Sequence, residues 1–203
     1  MALYHPLQLR RKSNCRSVDT RAGVWSTMPV AMKLILDKPA LDKRIAELAR
    51  ELDLLLDERP EGIALMIIVL KGAFMFASDL LRAMKTPCDV DFIQVSSYGS
   101  GTESSGQIEV LKRPLEPLAG RTIVLVDDIL DSGRTMDYLK KMLIRDNVDR
   151  VITCVLLDKP SRRVAAFEPD LRGFEIEDKF VVGYGLDYAE RFRNLNEIYE
   201  LES

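Results

Sequence analysis

Residues 123–135 read Ile-Val-Leu-Val-Asp-Asp-Ile-Leu-Asp-Ser-Gly-Arg-Thr: an apolar run, two adjacent carboxylates, a third carboxylate, then a small hydroxyl-rich turn. A strand inside a parallel sheet is covered on both faces and has to be apolar throughout. Residues 123–126 are, following the Ala119-Gly120 turn. Asp127 and Asp128 then fall at the carboxyl end of that strand, where ligands of open α/β sheets collect. The periodic segment through Met136, Leu139, Lys140 and Leu143 predicts a helix from about Arg134.

A helix start offers unpaired N–H groups and the positive end of the dipole. Gly133 permits close backbone approach, and Ser132 and Thr135 add hydroxyl donors, so the turn Ser132, Gly133, Arg134, Thr135 suits a phosphate. Carboxylates accept from sugar hydroxyls and ligate Mg²⁺ directly or through water, which is work for Asp127 and Asp128. Together these describe a sugar phosphate with a metal. Taken singly the residues say less, since Asp131 or Ser132 alone could simply cap the helix.

Composition narrows the classes further. The 203 residues are 47% apolar and 30% charged, ordinary for one globular domain. A net charge of −3 argues against a nucleic-acid binder, which usually carries a basic excess. Cys15, Cys88 and Cys154 are odd in number and widely spaced, so neither a disulfide framework nor a zinc site is indicated and a reducing cytoplasm is the expected home. The longest apolar run, residues 63–70, is far short of the roughly 18 residues of a membrane span. The only histidine is His5, which excludes Ser-His-Asp and Cys-His mechanisms and multi-histidine metal sites. Acid–base work is left to carboxylates, lysines or tyrosines.

Residues 1–32 differ from the rest: Arg10, Arg11, Lys12, Arg16 and Arg21 stand against Asp19 alone, with no sustained periodicity. The expectation is a poorly ordered extension; a targeting segment or a start of translation at Met28 or Met32 are the alternatives. The domain expected over residues 33–203 opens with Leu41, Ile45, Leu48, Ala49, Leu52 and Leu55 at helical spacing. A buried strand over 63–70, a helix over 72–84, strands over 90–95 and 108–111, the 123–135 strand and helix, a strand over 151–157 and a short one over 180–183 follow. Alternating β and α elements predict an α/β fold, a mainly parallel sheet flanked by helices. Lys71 stands at another carboxyl strand end, where an ammonium would meet an anion, although a lysine is more often a solvated surface charge. Residues 97–107, polar and holding Gly99, Gly101 and Gly106, read as a surface hairpin.

The 123–135 segment resembles the phosphoribosyl pyrophosphate (PRPP) signature of the type I phosphoribosyltransferases. Leu70-Lys71-Gly72, Ser97-Tyr98, Lys159, the run Phe180-Val-Val-Gly-Tyr-Gly-Leu-Asp-Tyr188 and Phe192-Arg193-Asn194-Leu195 are similar to the hypoxanthine(-guanine) members of that family. The likeness runs from about Leu36 to the C-terminus, over four regions in the same order.

The resemblance implies transfer of 5-phosphoribosyl from PRPP to N9 of a 6-oxopurine, with Mg²⁺ as cofactor and release of pyrophosphate. It places the 5′-phosphate on Ser132, Gly133, Arg134 and Thr135, and the ribose hydroxyls on Asp127 and Asp128. Pyrophosphate would meet Lys71, Gly72, Ser97, Tyr98 and Arg193, with residues 97–107 closing as a lid that keeps water from a cationic sugar. The purine would lie between Phe180 and Ile129, with Lys159 donating to the 6-oxo group and Val181 offering backbone groups to the base edge. A donor there rejects adenine. Asp187 would reach a second Mg²⁺ through water, beside Asp127 and Asp128, and Asp131 would manage the purine N7 proton. A cis peptide between Leu70 and Lys71, a small hood from the C-terminal part and some of the N-terminal part, and a homodimer or homotetramer are implied as well. Where the family pattern carries a second glycine after Gly72, this chain has Ala73. The competing readings are a PRPP-sensing regulator of the same fold that binds nucleic acid, and a xanthine-preferring transferase.

Overall fold

The computed structural model describes residues 31–57, 62–97 and 108–202. The elements in chain order are β1 (Ala31–Leu36), α1 (Lys38–Asp57), β2 (Ala64–Leu70), α2 (Phe74–Ala83), β3 (Cys88–Ser97), β4 (Ile108–Lys112), β5 (Thr122–Leu130), α3 (Arg134–Arg145), β6 (Arg150–Asp158), β7 (Leu171–Glu175), β8 (Val181–Val182) and β9 (Ile198–Glu202). Six strands form one sheet in the order β4-β3-β2-β5-β6-β7, parallel except for β4, which runs antiparallel to β3. β1, β9 and β8 make a separate antiparallel sheet, a hood from the two ends of the described chain.

Why β2 and β5 are apolar without interruption is visible in the packing. Met66, Ile68, Val124 and Val126 belong to one core with α1 and α2, contributed by Leu41, Ile45, Leu48, Leu52, Phe76 and Leu80. Leu65, Ile67, Ile123 and Leu125 point to the other face, against Met136, Leu139 and Leu143 of α3. Successive side chains of a strand alternate between faces, so two covered faces require every position to be apolar. Each fully buried Leu, Ile or Met contributes about 1.5–3 kcal/mol over an exposed one. The sheet interior is therefore a rigid platform, and function falls to the strand ends.

The expected helix over 72–84 begins later, at Phe74, because residues 71–73 form a turn that leaves β2. In α1 Leu56 is buried, where the sequence pattern pointed to Leu55. The Asp37 carboxylate caps α1, accepting from the Ala40 N–H at 2.9 Å. β1, β7 and β9 have no counterpart among the sequence-derived strands. β1 begins at Ala31, within the stretch assigned to an N-terminal extension; residues 1–30 lie outside the described residues. Among the described residues no helix is long and apolar enough to cross a membrane. Burial pushes the Cys88 thiol up to about 11 and the Cys154 thiol up to about 12, so neither is a ready nucleophile.

Candidate active site

β5 carries its two carboxylates to the carboxyl edge of the sheet, as its apolar run requires. Asp127 is 8% exposed; its Oδ1 accepts from the Asp128 N–H at 3.0 Å, and Asp128 Oδ1 accepts from the Ile129 N–H at 3.0 Å. Burial, then the charge of Asp128, pushes the Asp127 carboxyl well above its ordinary value. Burial also raises Asp128, partly offset by hydrogen bonds and by the Arg193 guanidinium. A buried carboxylate whose proton affinity is raised by burial and by a neighbouring carboxylate's charge is relieved by a cation. Among the described residues no group of three or more His, Cys, Asp or Glu stands together as a metal cage. Mg²⁺ ordinarily takes one or two carboxylates plus substrate oxygens and water, so the Asp127–Asp128 pair fits it.

Beyond Leu130 the chain turns through Asp131 and Ser132 into α3, with Gly133 as N-cap in the left-handed region at φ 78°. The Arg134 N–H donates to Ser132 Oγ at 3.4 Å, and the Ser132 carbonyl accepts from the N–H groups of Val164 and Ala165 at 2.9 and 3.0 Å. The turn is thus held from behind by the segment after β6, with Thr135 in the first turn of the helix.

The turn after β2 lies against this edge. The Leu70–Lys71 peptide is cis, as expected. Gly72 sits so close to Asp128 that a side-chain carbon there would come within 1.7 Å of Oδ2, and a carbon on Gly185 would come within 2.1 Å of the Gly72 carbonyl oxygen. Asp128, Gly72 and Gly185 are stacked backbone to side chain, which joins β5, the Lys71 turn and the loop after β8.

Lys159 follows β6, is 8% exposed, and donates its backbone N–H to the Leu130 carbonyl at 2.9 Å. Its Nζ stands 3.9 Å from Asp178, two residues before Phe180. Phe180 is 54% exposed, an aromatic face open to solvent beside the edge of the Tyr188 ring at 5.7 Å. Val181 is buried in β8 opposite Glu200. Ile129 is partly buried against the α1/α2 core. Asp131 Oδ1 is 3.2 Å from Arg162 Nε, and Arg162 Nη1 is 3.7 Å from Asp178. Arg163 donates to the Asp131 carbonyl at 2.6 Å and pairs with the fully buried Asp158.

The loop after β8 presents Asp187 and Arg193. Arg193 Nη2 pairs with Asp187 Oδ1 at 2.7 Å and with Glu190 Oε2 at 3.2 Å, and Nη1 donates to the Gly185 carbonyl at 2.8 Å. Lys71 Nζ reaches Glu190 Oε1 at 3.0 Å.

The sequence-derived residues therefore gather on one edge of the sheet: Lys71, Gly72, Asp127, Asp128, Ile129, Asp131, the 132–135 turn, Lys159 and the 180–193 segment. Ser97 ends β3, paired with Ile108, while Tyr98 and residues 99–107 lie outside the described residues. Sequence reasoning missed Arg162, Arg163, Asp178 and Glu190. The Arg162–Arg163 pair just after Lys159 was a weak signal; Asp178 and Glu190 carried none.

A family model for the phosphoribosyl transferase domain matches residues 32–189. The chain is 44% identical over 172 residues to the hypoxanthine-guanine phosphoribosyltransferase of Aquifex aeolicus, covering 84% of this chain and 95% of that one. It is 42% identical over 163 residues to the enzyme of that name from Bacillus subtilis, covering 80% and 89%. A crystal structure of a hypoxanthine phosphoribosyltransferase from Staphylococcus aureus superposes with a TM-score of 0.78 at 35% identity, covering 84% of this chain and 91% of that one.

Proposed function

This chain belongs to the phosphoribosyl transferase family, as a transferase of the hypoxanthine-guanine kind, and we propose that it moves 5-phosphoribosyl from PRPP to N9 of a 6-oxopurine with Mg²⁺ as cofactor. The acceptors are hypoxanthine and guanine, giving the nucleoside monophosphates and pyrophosphate. The 132–135 turn and the start of α3 hold the 5′-phosphate through backbone N–H groups and hydroxyls. Asp127 and Asp128 accept from the ribose hydroxyls and, with Asp187 through water, would hold the metal. When bound, Mg²⁺ would supply positive charge to the leaving pyrophosphate. Lys71 and Arg193 face the same leaving group, and Gly72 lets the Lys71 turn approach Asp128 closely. Ser97 and Tyr98 close over it.

On the acceptor side, Phe180 and Ile129 sandwich the base and Val181 offers backbone groups to its edge. Lys159 donates to O6, and Asp131 takes the N7 proton as the new bond forms. The bond to pyrophosphate weakens first, so the sugar passes through a cationic state that the fixed carboxylates of β5 stabilise.

The observation that carries the acceptor assignment is the seating of Lys159. It is buried, anchored one residue before Asp131, and its ammonium is set toward the segment that ends in the open face of Phe180. A buried ammonium aimed at a 6-oxo acceptor is left unpaired by adenine, whose 6-amino group only donates in that plane.

Pyrophosphate release by the purified protein with PRPP and Mg²⁺ tests this directly, with hypoxanthine, guanine, xanthine and adenine in separate reactions. Turnover of hypoxanthine and guanine without adenine is expected. Turnover of adenine at a comparable rate would remove Lys159 from its role. Silence with all four, from folded protein that still binds PRPP, would make it a PRPP-sensing regulator. The assembly is a homodimer or homotetramer, which sedimentation velocity reads.

A further inference from the structure

We propose that Glu190 is a built-in competitor for the pyrophosphate subsite, its carboxylate bridging Lys71 and Arg193 when the anion is absent and giving way when it binds. The inference rests on the assignment of those two cations to pyrophosphate. Oε1 stands 3.0 Å from Lys71 Nζ and Oε2 3.2 Å from Arg193 Nη2, so one carboxylate spends both oxygens on both cations. An oxygen pair of a bound pyrophosphate would take the same stance. Lys71 and Glu190 are 119 residues apart in sequence, and only the approach of the hood to the β2 turn brings them together.

The backbone holds the carboxylate in place. Ala189 and Glu190 are both left-handed, at φ 50° and 65°, and the Glu190 N–H donates to Asp187 Oδ2 at 2.8 Å. Asp187 in turn pairs with Arg193, so the loop is one connected unit.

The side chains are also free to part, with Glu190 64% and Lys71 54% exposed. Exposed pairs of this kind are weak, so the bridge is a modest competitor that polyvalent pyrophosphate displaces. Such a competitor suits an enzyme that has to release pyrophosphate in every cycle. Without Glu190, Lys71 would lose its described partner while Arg193 would keep Asp187 and the Gly185 carbonyl. The two cations would then hold the product longer, whereas the tethered carboxylate refills their coordination as it leaves.

Glu190→Gln preserves size and removes the charge. Pyrophosphate affinity in the presence of Mg²⁺, read by calorimetry and by product inhibition, is expected to rise roughly three- to tenfold. KM for PRPP should fall in the same direction and KM for hypoxanthine stay unchanged, a split that a merely structural role would not produce. Glu190→Asp, too short to span both cations, should fall between. Unchanged pyrophosphate affinity in Glu190→Gln, with Lys71→Ala still weakening it, would overturn the proposal and leave the assignment of Lys71 standing. If Lys71→Ala also leaves pyrophosphate binding untouched, the assignment of the subsite fails and the proposal with it.

Discussion

Gly72→Ala places a methyl carbon where the Asp128 carboxylate already stands. The added carbon would lie 1.7 Å from Oδ2 and 2.6 Å from Cγ, where ordinary contact begins at 3.4 Å. One of the two groups has to move by roughly 1.7 Å to restore contact distance. The Lys71 turn has little room to retreat, because its Gly72 carbonyl lies against Gly185. Asp128 is the group that yields, giving up its hydrogen bond from the Ile129 N–H and the position from which it meets the ribose hydroxyls.

Misplacing a positioning group by about 1 Å costs on the order of 100-fold in rate, or about 2.7 kcal/mol in transition-state stabilisation. The same overpacking costs about 1–3 kcal/mol in folding stability. Steady-state kinetics with varied PRPP, alongside a urea melt, separate the two effects. The expected result is a kcat/KM for PRPP lowered by about 100-fold in protein that remains folded at the assay temperature. A kcat/KM within about threefold of the parent, well inside the loss expected for such a displacement, would refute the argument that Gly72 exists to make room for Asp128.

Asp131→Asn should lower kcat by about 100-fold or more while PRPP affinity holds within a few-fold, since a general base acts only on the base being glycosylated; equal losses in both would remove Asp131 from proton transfer. Lys159→Ala should raise KM for hypoxanthine by about 10- to 100-fold, the worth of one charged hydrogen bond, and leave KM for PRPP nearly unmoved, which initial rates with each substrate varied will show. The Asp91 carboxylate, 7% exposed, accepts from the N–H groups of Phe92, Leu115 and Glu116 at 2.7, 2.5 and 3.1 Å. Burial pushes its pKa up, but those three donors prevail and hold it below the ordinary value. A depressed carboxyl contributes stability above its unfolded value of about 3.9 and loses it as pH falls through the folded value. Asp91→Ala should therefore cost about 1–2 kcal/mol at pH 7 in urea melts and less once the pH is well below the folded value, where a neutral carboxyl keeps only ordinary hydrogen bonds.

The sheet was legible wherever one segment carried its own instruction. β2, β5 and β6 are continuous apolar runs because both faces are covered, and α1 and α3 follow from apolar spacing with few competing signals. β1, β7 and β9 were not legible: β1 and β9 sit in the small sheet and β7 on the edge of the large one, with mixed side chains and one covered face at most. Ala31–Leu36 shows no clean alternation, and its partner Ile198–Glu202 lies at the far end of the chain, so its strand character comes from pairing.

The site divides along the same line. The carboxylates Asp127 and Asp128, the turn through Gly133 and the lysines at strand ends are dictated locally, because a buried parallel strand must deliver whatever follows it to the ligand-bearing edge. The sequence by itself thus determined an α/β sheet with a phosphate turn and a carboxylate pair at one strand end. Only the tertiary structure decided which distant groups face that edge: Gly72 against Asp128, Arg162 on Asp131, Asp178 beside Lys159, and Glu190 between Lys71 and Arg193. Apart from Glu190 with Arg193, which are near neighbours in sequence, these contacts join residues 19 to 119 positions apart, and no spacing rule reaches that far. Helix and strand periods record how a segment meets its own neighbours, whereas charge pairing across loops is set by how whole layers pack.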